Sequence, residues 1–520
     1  MHEDGEQEGR QICGSVRKCR AFLDGESRPL GRAAYDAVMR SPPQPVLVDV
    51  EDLDPSGDGA VYGTVNGRRV RIDWAVPGER LEVRLTEDGA GNLLGEVARI
   101  IRPSEHRVTP RCPYFGRCGG CAWQHIAYPE QLRLKERLLR QLLNQAIGAA
   151  APPVRRMLAG EGDEWGFRRK VHFVFAPAHL ALRTSHPAHR PGGLVLGHYR
   201  RSSQAVIEVD QCPVHADEGN RVAFAVRDAL ASAGIEGATP DGGRGIARHI
   251  VVRVTGREAR ENTDNRANPA NQETEVLATL VVSRNDRRLR PAMRAIAGGT
   301  GAPDGLALNV NDKPGPYLFG DETRHLHGRR RVRERVAGVS FLISATAFFQ
   351  TNVRAAEAMV RCVLEQAGDA RTALDLYAGA GLFALPLAGR GVRVVAVEEN
   401  AEAVEDGEAS RRVNRIPESA CAFVRARAED VARGLHRRVI PASADVVVLD
   451  PPRAGCPPPV LDWICGSLHP RRIVYVSCNP QALAQDLRMP IAAGYTLQVV
   501  QPVDMFPHTA HVETVAVLNS

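Results

Sequence analysis

No apolar run in this chain approaches the roughly 18 residues that a helix needs to cross a bilayer. A helical membrane span is thereby excluded. The amino-terminal stretch is acidic and polar and lacks the build of an export signal, which leads us to expect a cytoplasmic protein. Cysteines number eleven, an odd count, and several fall within apparent strands or helices. That pattern argues against a disulfide framework and fits a reducing compartment. The glycines near residue 380 lack the full G-x-G-x-x-G spacing of a dinucleotide site, which counts against a hydride-transferring enzyme. What remains is a 520-residue chain of ordinary globular composition, 43% hydrophobic and 25% charged. Its length allows three or four domains. A net charge of +6 is mildly basic, but the excess is local: GRRRVRER at 328–335, with further clusters at 166–170 and 198–201. Such clusters fit a polyanionic partner.

Residues 1–43 show no periodicity and close on a proline-rich stretch, so they are expected to be a disordered extension in which Cys13 and Cys19 have no structural role. Over 44–103 short runs alternate polar and apolar residues, with Asn66-Gly67 as a two-residue hairpin signal. Five short strands predict a small barrel of the oligonucleotide-binding type. A glycine-rich loop follows, with Cys112, Cys118 and Cys121 around Gly119-Gly120, which lets the backbone bend tightly enough for three thiolates to converge. A fourth ligand is needed, and the candidates are His125 and Cys212. Zinc and an iron–sulfur cluster both suit four thiolates. Tyr128 to Ile147 is amphipathic and predicts a packing helix. The rest of 104–340 predicts an α+β domain, with Arg248 at the head of a strand, open to a phosphate or to solvent. The polar loop Gly256–Glu275 is expected to be a mobile hairpin tip.

Residues 341–520 alternate strand and helix and predict an α/β, doubly wound sheet. Ala373 to Tyr377 enters Gly379-Ala-Gly381, preceded by Asp375. The run Val392–Glu398 ends in an acid suited to hold ribose hydroxyls. Two later apolar runs end alike. Ala444–Asp450 delivers a carboxylate before Pro451-Pro452-Arg453, and Ile473–Val476 delivers Ser477-Cys478-Asn479-Pro480. Carboxyl ends of parallel strands are where open α/β sheets bind ligands. A strand-end thiol beside a strand-end carboxylate suggests a nucleophile with a partner, against the plainer alternative of a core cysteine.

With FFQTN at 348–352, DLYAGAG at 375–381, LDPPRAG at 449–455, SCNP at 477–480 and FPHTAHVE at 506–513, the chain resembles the RNA uracil-5-methyltransferase family from about residue 46 to its end. The barrel resembles that family's TRAM domain. The resemblance implies a Rossmann-like methyltransferase domain that binds S-adenosylmethionine through Gln350, Tyr377, Glu398 and Asp450. It implies Cys478 as nucleophile, Glu513 as base, and a [4Fe–4S] cluster on Cys112, Cys118, Cys121 and Cys212. A barrel together with four cluster cysteines resembles the 23S rRNA branch more than the tRNA branch. The expectation is a monomeric RNA-binding enzyme making 5-methyluridine, the alternatives being a tRNA methyltransferase or a catalytically silent assembly factor. Two positions depart from the family pattern. Ala378 stands where a cysteine is usual. Arg427 stands where many members place an acidic or amide group, so Glu429 or Asp430 is the expected substitute on the adenine side.

Overall fold

The computed structural model describes residues 44–54, 57–159, 164–182, 193–239, 244–256, 274–313, 318–436 and 438–520. The expectations for residues 1–43, Cys13 and Cys19 included, and for all but the ends of the 256–275 loop, lie outside these.

Alternation builds the first unit. Strands Val46–Leu53, Val61–Val65, Arg68–Ile72, Arg80–Glu87 and Leu93–Arg102 close into a barrel, with the third strand paired parallel to the fifth. Every second residue points inward: Val48 and Val50, Val70 and Ile72, Leu81 and Val83 are all buried. Asn66 and Gly67 turn the second strand into the third with φ of 50° and 74°, the positive values a two-residue turn requires. Closure leaves no open sheet edge.

The expected amphipathic helix spans Tyr128–Ile147, with a proline in its first turn. Its apolar stripe is divided between two cores. Leu134 and Leu138 pack into the barrel, while Leu139 and Leu143 pack against the carboxy-terminal sheet. Just before it, Trp123 is fully buried among barrel residues, and its indole N–H donates to the Gly59 carbonyl at 2.8 Å. The barrel is therefore fixed to the body by side chains as well as by the chain.

The middle unit is a seven-stranded sheet in the order 322–328, 305–310, 276–282, 247–254, 170–177, 194–199, 206–208. Only the pair 276–282 and 305–310 runs parallel. Helices Asp217–Ser232 and Leu289–Gly298 contribute buried side chains to its core. Arg248 is committed to the backbone, donating to the carbonyls of Asn311 and Lys313 at 2.7 and 3.0 Å. The arginine-rich stretch forms a hairpin, Arg331–Val336 with Val339–Ser344. Its apolar residues Val332, Val336, Phe341 and Ile343 join the core of the last unit.

The last sheet has the strand order 421–425, 393–398, 372–376, 446–449, 472–477, 513–519, 496–503. The first five strands are mutually parallel, and Glu513–Asn519 inserts antiparallel. The chain order reverses between 372–376 and 446–449, which opens a crevice at the carboxyl edge. Val446 to Leu449 and Ile473 to Val476 are fully buried, as strands covered on both faces must be. Among the described residues no helix is long and apolar enough to cross a membrane.

Trp123→Ala should cost about 3–5 kcal/mol, as large-to-small substitutions of buried aromatics do. It should also make the segment between barrel and body newly sensitive to limited proteolysis, read by mass spectrometry of the fragments.

Candidate functional site

Sheet register brings the two candidate catalytic residues together. Strand Arg472–Ser477 pairs antiparallel with Glu513–Asn519, from Arg472 opposite Asn519 to Ser477 opposite Thr514. Continuing that register by one residue sets Cys478 opposite Glu513. A strand that runs against its neighbours begins where they end, so its first residue arrives at the same edge as their last. Pro480 then opens helix Pro480–Asp486, with the Asn479 side chain accepting from the Gln481 N–H as cap. The cap also donates to the Arg453 carbonyl at 2.8 Å, tying the cysteine turn to the turn after Asp450.

All six candidate site residues of this domain line one cavity of about 670 Å³: Gln350, Tyr377, Glu398, Asp450, Cys478 and Glu513. Glu398 closes one side. Its carboxylate accepts from the N–H of Gly379 at 2.9 Å and of Asn400 at 2.8 Å, which joins the glycine turn to the next strand end. Tyr377 and Gly379 both hold positive φ there, 64° and 55°. Asp375 lies beneath this loop and does not line the cavity. It is fully buried, and burial with Asp450 nearby pushes its carboxyl well up, against a backbone contact from Ala384. Beside the Glu398 strand end Arg427 and Glu429 line the cavity and contact each other at 3.2 Å; Asp430 pairs instead with Arg433.

Charge is concentrated here. Burial, with Glu398 nearby, pushes Asp450 up to about 7. Burial and then Asp450 push Glu513 well above the usual carboxylate range. The Cys478 thiol is pushed up to about 11, first by burial, then by Glu513 and Asp450. Arg453 opposes the shifts of Cys478 and Glu513. The sequence reading gave Arg453 no role, although a cation directly after a strand-end carboxylate was visible in it. Cys478 and Arg453 also line a second cavity, about 420 Å³, which Tyr377 does not reach. Its other walls are Asn479 to Gln481, Ala510 and His511, and Gly57 and Asp58 of the barrel. The thiol thus stands between two chambers.

The second candidate constellation lies in the middle unit. Cys112, Cys118, Cys121 and Cys212 line a single small cavity together with Arg168 and His198. His125 is elsewhere, its ring nitrogen facing the Ala75 carbonyl at 3.2 Å, so Cys212 is the fourth residue of the group. Burial pushes all four thiols up, Cys118 to about 11 and Cys212 to about 12, and neighbouring cysteines add to the shift of Cys118 and Cys212. Among the described residues no three His, Cys, Asp or Glu side chains are gathered around one point as a single ion requires. The thiols surround a space instead.

Residues 324–520 match the family described as tRNA (Uracil-5-)-methyltransferase. An uncharacterised RNA methyltransferase of Gloeobacter violaceus is 34% identical over 478 residues, 92% of this chain and 96% of that protein. One from Halalkalibacterium halodurans is 33% identical over 477 residues, 91% and 96% of the two chains. Among solved structures, the Pyrococcus abyssi tRNA (uracil-54, C5)-methyltransferase in complex with S-adenosyl-L-homocysteine superposes with a TM-score of 0.68. At 24% identity it covers 91% of this chain and 99% of its own, a likeness of fold.

Alkylation of Cys478 by iodoacetamide, followed by peptide mass spectrometry, tests the electrostatics. At pH 9 Glu513→Gln removes a negative charge, lowers the thiol pKa and should speed the reaction severalfold. Arg453→Ala removes the opposing cation and should slow it.

Proposed function

Because the chain belongs to the RNA uracil-5-methyltransferase family, we propose that it methylates carbon 5 of a specific uridine in 23S rRNA, with Cys478 as nucleophile and Glu513 as base. It is an S-adenosylmethionine-dependent RNA methyltransferase, and the proposal concerns the target and the residue roles. The observation that carries the roles is the register: a thiol and a carboxylate at facing strand ends, lining one cavity with Gln350, Tyr377, Glu398 and Asp450.

Carbon 5 of uracil is too weak a nucleophile to take a methyl group unaided. The Cys478 thiolate adds to carbon 6, and the electron pair of the double bond moves into an enolate that makes carbon 5 nucleophilic. Carbon 5 then takes the methyl group. Glu513 removes the proton left on carbon 5, the double bond re-forms, and the carbon–sulfur bond breaks to release the thiolate. When bound, S-adenosylmethionine would supply the methyl group, the methyl–sulfur bond breaking to leave S-adenosylhomocysteine, and before transfer its positive charge would offset the carboxylates around the thiol. Gln350, Tyr377, Glu398 and Asp450 bind it on one side of Cys478, and the uracil enters from the chamber walled by His511, Gln481 and the barrel. Such a base must leave its stack, at a cost of a few kcal/mol. Contacts from the barrel and the basic middle unit offset that cost. Because Cys478 and Glu513 both have raised pKa values and both act deprotonated, activity rises from neutral into alkaline pH.

Four half-buried thiols around a shared space fit the [4Fe–4S] cluster that the family resemblance implies. Bound there, the cluster would cross-link the 112–121 loop to Cys212 and brace the middle unit. The choice of 23S rRNA rests on the resemblance to the ribosomal branch of a chain that has both a barrel and this cysteine group. A tRNA target is the second reading, favoured by the name of the matching family and by the Pyrococcus abyssi enzyme's substrate.

RNA fragments carrying 5-fluorouridine decide among these readings. Fluorine cannot leave as a proton does, so the covalent adduct should persist on a denaturing gel with rRNA fragments and S-adenosylmethionine, and vanish in Cys478→Ala. An adduct with tRNA alone would move the target to tRNA. The absence of any adduct would sink the catalytic reading in favour of an assembly factor.

A further inference from the structure

The segment that delivers Glu513 to the sheet edge is irregular. Residues 504–512 lie between the strands Thr496–Val503 and Glu513–Asn519, and His508 among them holds φ of +64°. That left-handed backbone is uncommon outside glycine, and here the contacts around His508 hold it. Its side chain is buried, 3% exposed, with the Trp165 ring 4.2 Å away. Four residues lie between this point and Glu513, so whatever fixes His508 constrains the approach of Glu513.

The restraints come from far away in the chain, from residues 122–135. The His508 carbonyl accepts from the N–H groups of both Ala122 and Trp123 at 2.9 Å. The His508 N–H donates to Gln131 Oε1 at 2.9 Å. Gln131 Nε2 donates to the carbonyls of Trp123 at 3.0 Å and Ile126 at 2.9 Å, and lies 3.2 Å from His508 Nδ1. Burial pushes His508 down to about 4, which favours the neutral ring, while both amide hydrogens of Gln131 go to the two carbonyls. One helix turn later Lys135, fully buried, donates to Asp504 Oδ1 at 2.5 Å and to the Phe506 carbonyl at 3.0 Å. Tyr128 donates to the other Asp504 oxygen at 2.7 Å. Both backbone polar groups of His508 are thus held by one short segment, and Gln131 contacts both parties.

Packing alone does not ask for this chemistry. Gln131 is 1% exposed, and an amide buried that deeply is costly unless every polar atom is satisfied. A leucine would fill the same space between barrel and sheet. What the amide adds is a fixed geometry between the 122–126 turn and the loop leading to Glu513.

We propose that Gln131 is a positioning residue for proton abstraction, holding loop 504–512 in the conformation that presents Glu513 to carbon 5. The inference rests on the reading of Glu513 as the base. It bears most on the second half of the reaction: the thiol and the groups on the cofactor side are placed by other strands, whereas the base is placed through this loop, which meets the outer chamber only at Ala510 and His511.

The experiment uses the full chain with Gln131→Leu, Glu513→Gln and wild type, on whichever RNA the wild type methylates, with methyl-tritiated S-adenosylmethionine. With 5-fluorouridine RNA, trapping by Gln131→Leu should stay within about twofold of wild type, while turnover on uridine RNA falls at least about tenfold, as loss of an aligned base requires. A labelled covalent protein–RNA adduct should accumulate on uridine RNA in both Gln131→Leu and Glu513→Gln. Failure of Glu513→Gln to accumulate it would overturn the assignment of the base itself. Accumulation in Glu513→Gln without accumulation in Gln131→Leu overturns the role of Gln131 alone. Gln131→Asn, which keeps the amide but withdraws it by one methylene, is scored in the same way. A parallel loss of trapping and turnover in both Gln131 variants also overturns the proposal, because Gln131 would then support only the fold.

Discussion

The hydrogen-bond ladder between Arg472–Ser477 and Glu513–Asn519 is the constraint on which the site depends. Parallel strands deliver their last residues to one edge of a sheet, but a residue there has neighbours only from other strand ends and loops. An antiparallel insert adds a strand start at that same edge. Its side chain faces the pocket from a position that the ladder sets on one side and the entering loop 504–512 on the other. A slip of one residue would turn Glu513 to the other face of the sheet, so the buried apolar alternation of both strands also protects the chemistry. Asp450, Glu398 and the Tyr377 turn arrive by the ordinary rule of strand ends, and Gln350 comes from the loop after the 331–344 hairpin.

The same edge shows why the molecule is not a string of independent units. Helix Tyr128–Ile147 belongs in sequence to the region between barrel and middle unit. Yet its buried leucines serve the barrel and the last sheet, and its polar residues bind the Asp504–His508 segment. Barrel residues Gly57 and Asp58 wall the outer chamber beside Cys478. The backbone of Arg169 donates to the Thr351 carbonyl at 2.7 Å, next to Gln350 in the sequence. The middle unit thus also touches the segment that lines the inner chamber.

Much of this was legible in the chain. The barrel strands, the helix at 128–147 and the strand ends at Glu398, Asp450 and Cys478 follow from period-two or helical patterning bounded by glycine, proline and asparagine. These are local signals. The group of four cysteines was half legible. The spacing within 112–121 implied three ligands, but the choice between His125 and Cys212 depended on how the loop and the middle sheet meet, and no local pattern encodes that. Glu513 at the head of a terminal strand carried no local mark, since its meaning comes from pairing with a strand that ends at Cys478. Arg453 and Gln131 were missed for the same reason. One is an arginine in a turn and the other a glutamine in an amphipathic helix, and each acquires its role only from partners distant in sequence.

The attachment of loop 504–512 to residues 122–135 has a consequence for synthesis. The barrel, the cysteine loop and the helix emerge from the ribosome long before residues 472–519, and domains fold as they emerge. The helix must then wait with a buried-type lysine and glutamine unpaired until the final strands arrive. Cys478, the facing Glu513 and the loop that leads to it therefore come together only after residues 472–519 have been made. A nascent chain can close its barrel well before Cys478 and Glu513 face each other.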